Sequence, residues 1–138
     1  MSFSDPIQHG LPHRAPFIFV DRVLAAEPPR NAVCEVVFAS GTPFFAGHFP
    51  NHPLVPGVIL TEALAQTAGI AAGNPGNGRN YHLAAIRQMK FVAQVLPEQT
   101  IRLEATARGS MEGLLQFEVR ATVDGNTVAE GVVILAVA

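Results

Sequence analysis

The chain has 138 residues, 49% of them apolar and 14% charged, with a formal net charge of −2. That length suits one domain with one sizeable core, and the apolar content excludes a disordered chain. A slightly acidic balance without a basic run argues against nucleic acid as a partner, and the low charge points to surface buried between subunits.

The first ten residues, MSFSDPIQHG, show no charged start followed by an apolar stretch, so no secretory signal is expected and a cytoplasmic protein is. FIFVDRVLAA and AVCEVVFA then read as two strands joined by a turn at Pro28-Pro29-Arg30-Asn31. The second strand carries Cys34, the sole cysteine, which reads as a packed thiol in a reducing compartment. Two stretches rich in Gly, Pro and Asn follow, FPNHPLVPG (49–57) and GNPGNGRN (73–80). Between them GVILTEALAQTAGIAAG, Gly57 to Gly73, reads as a helix with Pro56 near its start and Gly73 at its end. It is apolar or small nearly all round, so burial is expected. It is short for a membrane span, and Glu62, Gln66 and two threonines interrupt it.

Downstream the period changes to two. TIRLEATA sets Ile101, Leu103, Ala105 and Ala107 on one face, and LLQFEVRATV sets Leu115, Phe117, Val119, Ala121 and Val123 on another. Met111-Glu112-Gly113 and Asp124-Gly125-Asn126 read as hairpin turns, and TVAEGVVILAVA as a last strand. Two strands, one buried helix and a four-strand meander predict a single α+β domain over residues 1–138, its antiparallel sheet covered by the helix.

Glu62 is the one charge on that helix, fourteen positions after His48 in GHFPNHPLVPGV. A carboxyl on an apolar helix either finds a partner or keeps its proton, and beside a histidine it suits general acid–base chemistry. Pro50, Pro53 and Pro56 limit the freedom of the chain that carries the imidazole. The Gly57 N–H stands at the helix start, where it could stabilise a developing oxyanion. Gln66, one turn after Glu62, is read as orienting the carboxyl or a water, or else as a packing amide. His48 and His52 are four apart, but the prolines forbid a regular helix there and no further ligand completes a zinc site. No phosphate loop or nucleophile elbow is present.

These residues carry a resemblance. GHFPNHPLVPGVILTEALAQTAG resembles the signature of bacterial 3-hydroxyacyl-acyl-carrier-protein dehydratases of the FabZ type, LPHRAPFIFVDRV is a second match, and AAIRQMKFVAQVLPEQTIRLEA a third. The resemblance runs through nearly the whole chain in order. It implies a hot-dog fold, with a sheet wrapped around a long central helix, and an obligate homodimer, often a trimer of dimers, whose sites take histidine from one subunit and acid from the other. By the same resemblance His48 and Glu62 are the catalytic pair, the Gly57 N–H binds the thioester carbonyl, and Gln66 stands beside the acid. Glutamate at position 62 fits this type, whereas the dehydratase–isomerase branch carries aspartate there. Three positions depart from or leave open the family pattern. Pro97-Glu98-Gln99 replaces a common Pro-Gly-Asp turn. Ile86 is followed by Arg87 and Gln88 instead of an acid. The family's aromatic gate falls at Tyr81 or His82.

The chemistry implied is loss of water from a 3-hydroxyacyl thioester, with no metal or redox cofactor, in fatty-acid or related acyl-chain biosynthesis. The substrate arm would come from an acidic acyl carrier protein, for which Arg79, Arg87, Lys90 and Arg102 are candidate contacts. Two alternatives stand beside this reading: a hot-dog acyl thioesterase, and a non-catalytic subunit that binds acyl thioesters.

Overall fold

The computed structural model describes residues 4–137; residues 1–3 and 138, at the ends of the expected domain, lie outside the described residues. Six strands and one long helix follow in order: β1 (Arg22–Glu27), β2 (Asn31–Val37), α1 (Gly57–Ala72), β3 (Tyr81–Phe91), β4 (Thr100–Met111), β5 (Leu114–Val123) and β6 (Asn126–Val137). The strands form one antiparallel sheet in the order β1-β2-β4-β5-β6-β3. The helix packs across its inner face, as the hot-dog arrangement requires.

Period-two alternation builds that inner face. Ile101, Leu103 and Ala105 of β4, and Phe117, Val119 and Ala121 of β5, are buried, whereas Ala107 extends past the helix and is exposed. Opposite them Leu60, Leu64, Ala68 and Ala71 form the sheet-facing side of α1. Two threonines inside the helix are satisfied locally, with Thr61 Oγ1 donating to the Gly57 carbonyl and Thr67 Oγ1 to the Ala63 carbonyl, both at 2.9 Å. Cys34 of β2 is fully buried, and loss of solvation pushes its thiol up to about 11, only partly offset by a hydrogen bond with Thr67.

The β4–β5 and β5–β6 hairpins are two-residue turns with positive φ at each central residue: Glu112 and Gly113 at 52° and 81°, Asp124 and Gly125 at 52° and 80°. That geometry matches the right-handed twist of the flanking strands. The outer face carries cross-strand rows of alternating charge. Glu104, Arg120, Glu130 and Lys90 are in register across four strands, and Arg22, Glu35 and Arg102 across three. Opposite charges directly across a ladder attract, so this face neutralises itself.

Three expectations are corrected. FIFV is not a strand: β1 begins only at Arg22, because the Phe17 carbonyl and Phe19 N–H bond the Gln66 side chain instead of a neighbouring strand. The meander has three strands, since β3 crosses to the far edge and pairs with β6, leaving β4 to pair with β2. The helix is not buried all round, and the side that carries Glu62 lines a cavity. The departure at Pro97-Glu98-Gln99 also has a local account. Glu98 occupies the left-handed region (φ 70°) that glycine would fill, and its carboxylate accepts the Ser40 N–H at 2.5 Å.

Candidate functional site

The expected site residues fall into two groups on different sides of α1. Gly57 and Glu62 are five residues apart, so they point about 140° apart around the helix axis. One side holds His48 and Gly57. A 3-10 turn, Pro43–Ala46, leads into it, and the His48 N–H donates to the Phe44 carbonyl at 3.0 Å. The Leu54 N–H returns to the His48 carbonyl at 2.9 Å, closing the proline-rich loop. His48 Nδ1 lies 3.1 Å from the Leu54 carbonyl oxygen, and its ring stacks on Phe49 at 4.2 Å. A carbonyl can only accept, so Nδ1 carries the hydrogen and Nε2 presents a lone pair. Gly57 follows the N-cap Pro56, so its N–H has no acceptor within the helix. A Cβ on Gly57 would stand 3.1 Å from the Phe91 ring, so a larger residue would need that ring to shift by a few tenths of an ångström.

The other side holds Glu62 and Gln66. Glu62, Ala65, Gly69 and Gly73 form a stripe along the helix, and beyond the first they are too small to fill the space over it. The result is a cavity of about 310 Å³ walled by this stripe, the segment from Gly10 to Phe17, and the start of β3. Glu62 is 20% exposed, and its Oε2 accepts a hydrogen bond from Gln66 Nε2 at 3.1 Å. The expectation of a fully buried acid is thereby corrected: it stands in the wall of an open cavity. Gln66 is buried and fully engaged. Its Oε1 accepts from the Phe19 N–H at 2.9 Å, and its Nε2 also donates to the Phe17 carbonyl at 3.1 Å.

Glu62 and Gln66 are therefore together. His48 and Gly57 are not among the described residues that line this cavity. Tyr81 and His82 both line it; Tyr81 is the half-buried one, packed against the core, and His82 is exposed. Arg102 is paired with Glu104 at 2.9 Å and is separated from Lys90 by two intervening strands, so the four candidate cations do not form one patch. Among the described residues no cluster of three or more side chains could hold a metal, and no helix is long and apolar enough to cross a membrane.

Sequence reasoning missed His13, whose Nε2 lies 3.6 Å from Glu62 Oε2. It sits in a loop forty-nine residues upstream, where no helical or strand period could relate the two.

Residues 11–132 match the FabA-like domain family. The 3-hydroxyacyl-[acyl-carrier-protein] dehydratase FabZ of Ruminiclostridium cellulolyticum is 43% identical over 127 residues, covering 91% of this chain and 89% of that protein. Among solved structures, the dehydratase heterocomplex ApeI:P from Xenorhabdus doucetiae superposes with a TM-score of 0.76 at 16% identity, over 95% of this chain and 90% of that one. A mutant of the fluoroacetyl-CoA-specific thioesterase FlK gives 0.68 at 16% identity, over 78% and 84%. At such identities these two structures share the fold alone with this chain. A dehydratase and a thioesterase both use that fold, so it does not choose the reaction.

Proposed function

The chain belongs to the FabZ-type family of 3-hydroxyacyl-acyl-carrier-protein dehydratases, and on that premise we propose how it removes water from a 3-hydroxyacyl thioester carried by an acyl carrier protein. The observation that carries the mechanism is that neither His48 nor Gly57 lines the cavity beside Glu62, with Gly57 about 140° away around α1. Two chains related by a two-fold axis can bring the histidine side of one to the acid side of the other. The surface around Gly57 is suited to such pairing: Val58 is 76% exposed, and Phe49, Phe91 and Val92 are each at least half exposed. β3 adds an unpaired edge. A homodimer with two shared sites follows.

In each site the Nε2 lone pair of His48 takes the C2 proton of the substrate. The electrons of that C–H bond form the C2–C3 double bond as the C3–O bond breaks. The Gly57 N–H, at the positive end of α1, receives the charge that develops on the thioester oxygen. Glu62 from the partner chain gives its proton to the departing hydroxyl, which leaves as water. Histidine and acid then exchange protons with solvent to reset the site. Two proton transfers and one leaving group balance without any metal or redox cofactor. The acyl chain lies in the cavity along the small-residue stripe of α1. The buried, free Cys34 suits a reducing cytoplasm.

Turnover of a carrier-linked 3-hydroxyacyl substrate, followed by enoyl-thioester absorbance, tests this reading. Enoyl product should form with the unaltered protein, and the rate should fall about 10²-fold or more in Glu62→Gln, the usual loss for a general acid. Release of free thiol without enoyl product would instead assign a thioesterase.

A further inference from the structure

Glu62 presents its two carboxyl oxygens unequally. Both neighbouring donors lie on Oε2: Gln66 Nε2 at 3.1 Å and His13 Nε2 at 3.6 Å. Oε2 accepts from Gln66 and faces a second nitrogen at 3.6 Å, so it is the less favourable oxygen to carry a hydrogen. The proton of the neutral acid therefore sits on Oε1.

His13 is held where it stands. Its ring stacks on Phe17 at 6.0 Å, and Arg14 Nη1 donates to the carbonyls of Leu11 (2.9 Å) and His13 (2.7 Å). The Phe17 N–H donates to the Arg14 carbonyl, while Gln66 holds the Phe17 carbonyl. His13 Nδ1 is buried and has no hydrogen-bond partner among the described residues. Buried N–H groups without an acceptor are rarer than buried unpaired acceptors, so the ring hydrogen belongs on Nε2, facing the acid. At 3.6 Å that pair is a few tenths of an ångström too long for a hydrogen bond. Catalytic hydrogen bonds in empty sites are often long and tighten when substrate fills them.

We propose that His13 is a positioning residue for the acid. As the site fills, its Nε2–H closes on Glu62 Oε2 and, with Gln66, fixes Oε1 as the oxygen that hands over the proton. The same two donors then stabilise the carboxylate left behind. This role rests on the dehydratase reading above.

Three variants test it in the full-length protein, with kcat and KM measured for the carrier-linked substrate. His13→Leu removes the donor at similar volume, and kcat should fall about 10- to 100-fold with KM within about twofold, the scale of a hydrogen bond to a charged group. His13→Gln keeps an N–H of similar reach and should recover kcat to within about fivefold. His13→Asn keeps an amide too short to reach, and should behave like His13→Leu. Should His13→Leu fail to fold, the contrast between Gln and Asn decides alone. Equal kcat in Gln and Asn, or a kcat for His13→Leu within twofold of the unaltered protein, would overturn the role while leaving the dehydratase reading intact. Absence of enoyl product from the unaltered protein would remove both.

Discussion

The two sides of α1 that carry chemistry are built by different means. His48 is held by its own neighbourhood: a loop bounded by Pro43 and Pro56, closed by bonds between His48, Phe44 and Leu54, none more than six residues apart. Glu62 is held from a distance, through Gln66, by the backbone of Phe17 and Phe19, forty-nine and forty-seven residues upstream. A local loop can be rigid in a single chain, because its prolines restrict it before tertiary contacts form. A carboxyl placed through a buried amide depends on the packing of the whole core, so damage to the fold should reach the acid before it reaches the histidine.

The largest test of this division is on activity. H48A and E62Q, each alone, should lose about 10²- to 10⁴-fold in kcat. Combined in equal amounts by co-expression, half the dimers carry one of each chain, and each such dimer has one complete site of two. Roughly a quarter of the unaltered activity should therefore return if each site draws on two chains. No recovery on mixing would mean that one chain supplies both groups.

Gln66→Leu should expose the dependence of the acid on the core. It leaves the Phe19 N–H and the Phe17 carbonyl unpaired in a part-buried place, at about 1–2 kcal/mol each, the lower end of the cost of an unmade hydrogen bond. Denaturant unfolding should show a loss of about 2–4 kcal/mol, with kcat falling as well. An unchanged unfolding midpoint would mean that the amide only orients the carboxyl.

The smallest test concerns the third side of α1, where Thr67 meets Cys34 on the sheet. The folded protein keeps the thiol proton up to about pH 11, whereas the unfolded chain releases it from its ordinary value of 9.0. The contribution of Cys34 is thus complete below pH 9 and is lost as pH rises towards 11. Within that window it costs at most about 1.4 kcal/mol of stability per pH unit. Comparing Cys34→Ala with the unaltered protein isolates this slope. Equal slopes would mean that water reaches the sheet side of the helix as it does the other two.

Much of this protein is legible in its sequence because much of it is local. Pro56 and Gly73 bound α1 as read, Glu112-Gly113 and Asp124-Gly125 make the two tight hairpins, and Cys34 is packed. In each case the cause acts within a few residues: a missing N–H, a tolerated positive φ, a strand's alternation. The setting of His48, Glu62, Gly57 and Gln66 in the sequence also raised them as candidates for chemistry. The pairing of Gln66 with Glu62 was legible from their one-turn spacing; the place of His13 beside them was not. A helix that is apolar or small on every side gives no sign of which side meets the sheet, so only packing decided that Glu62 opens onto a cavity with Gln66 and His13. The same holds for FIFV, which looks like a strand until a glutamine on α1 takes its backbone bonds, and for β3, whose place at the far edge rests on pairing with the last strand. Contacts across tens of residues leave no local period in the chain, and they are what divides the histidine side of the helix from the acid side.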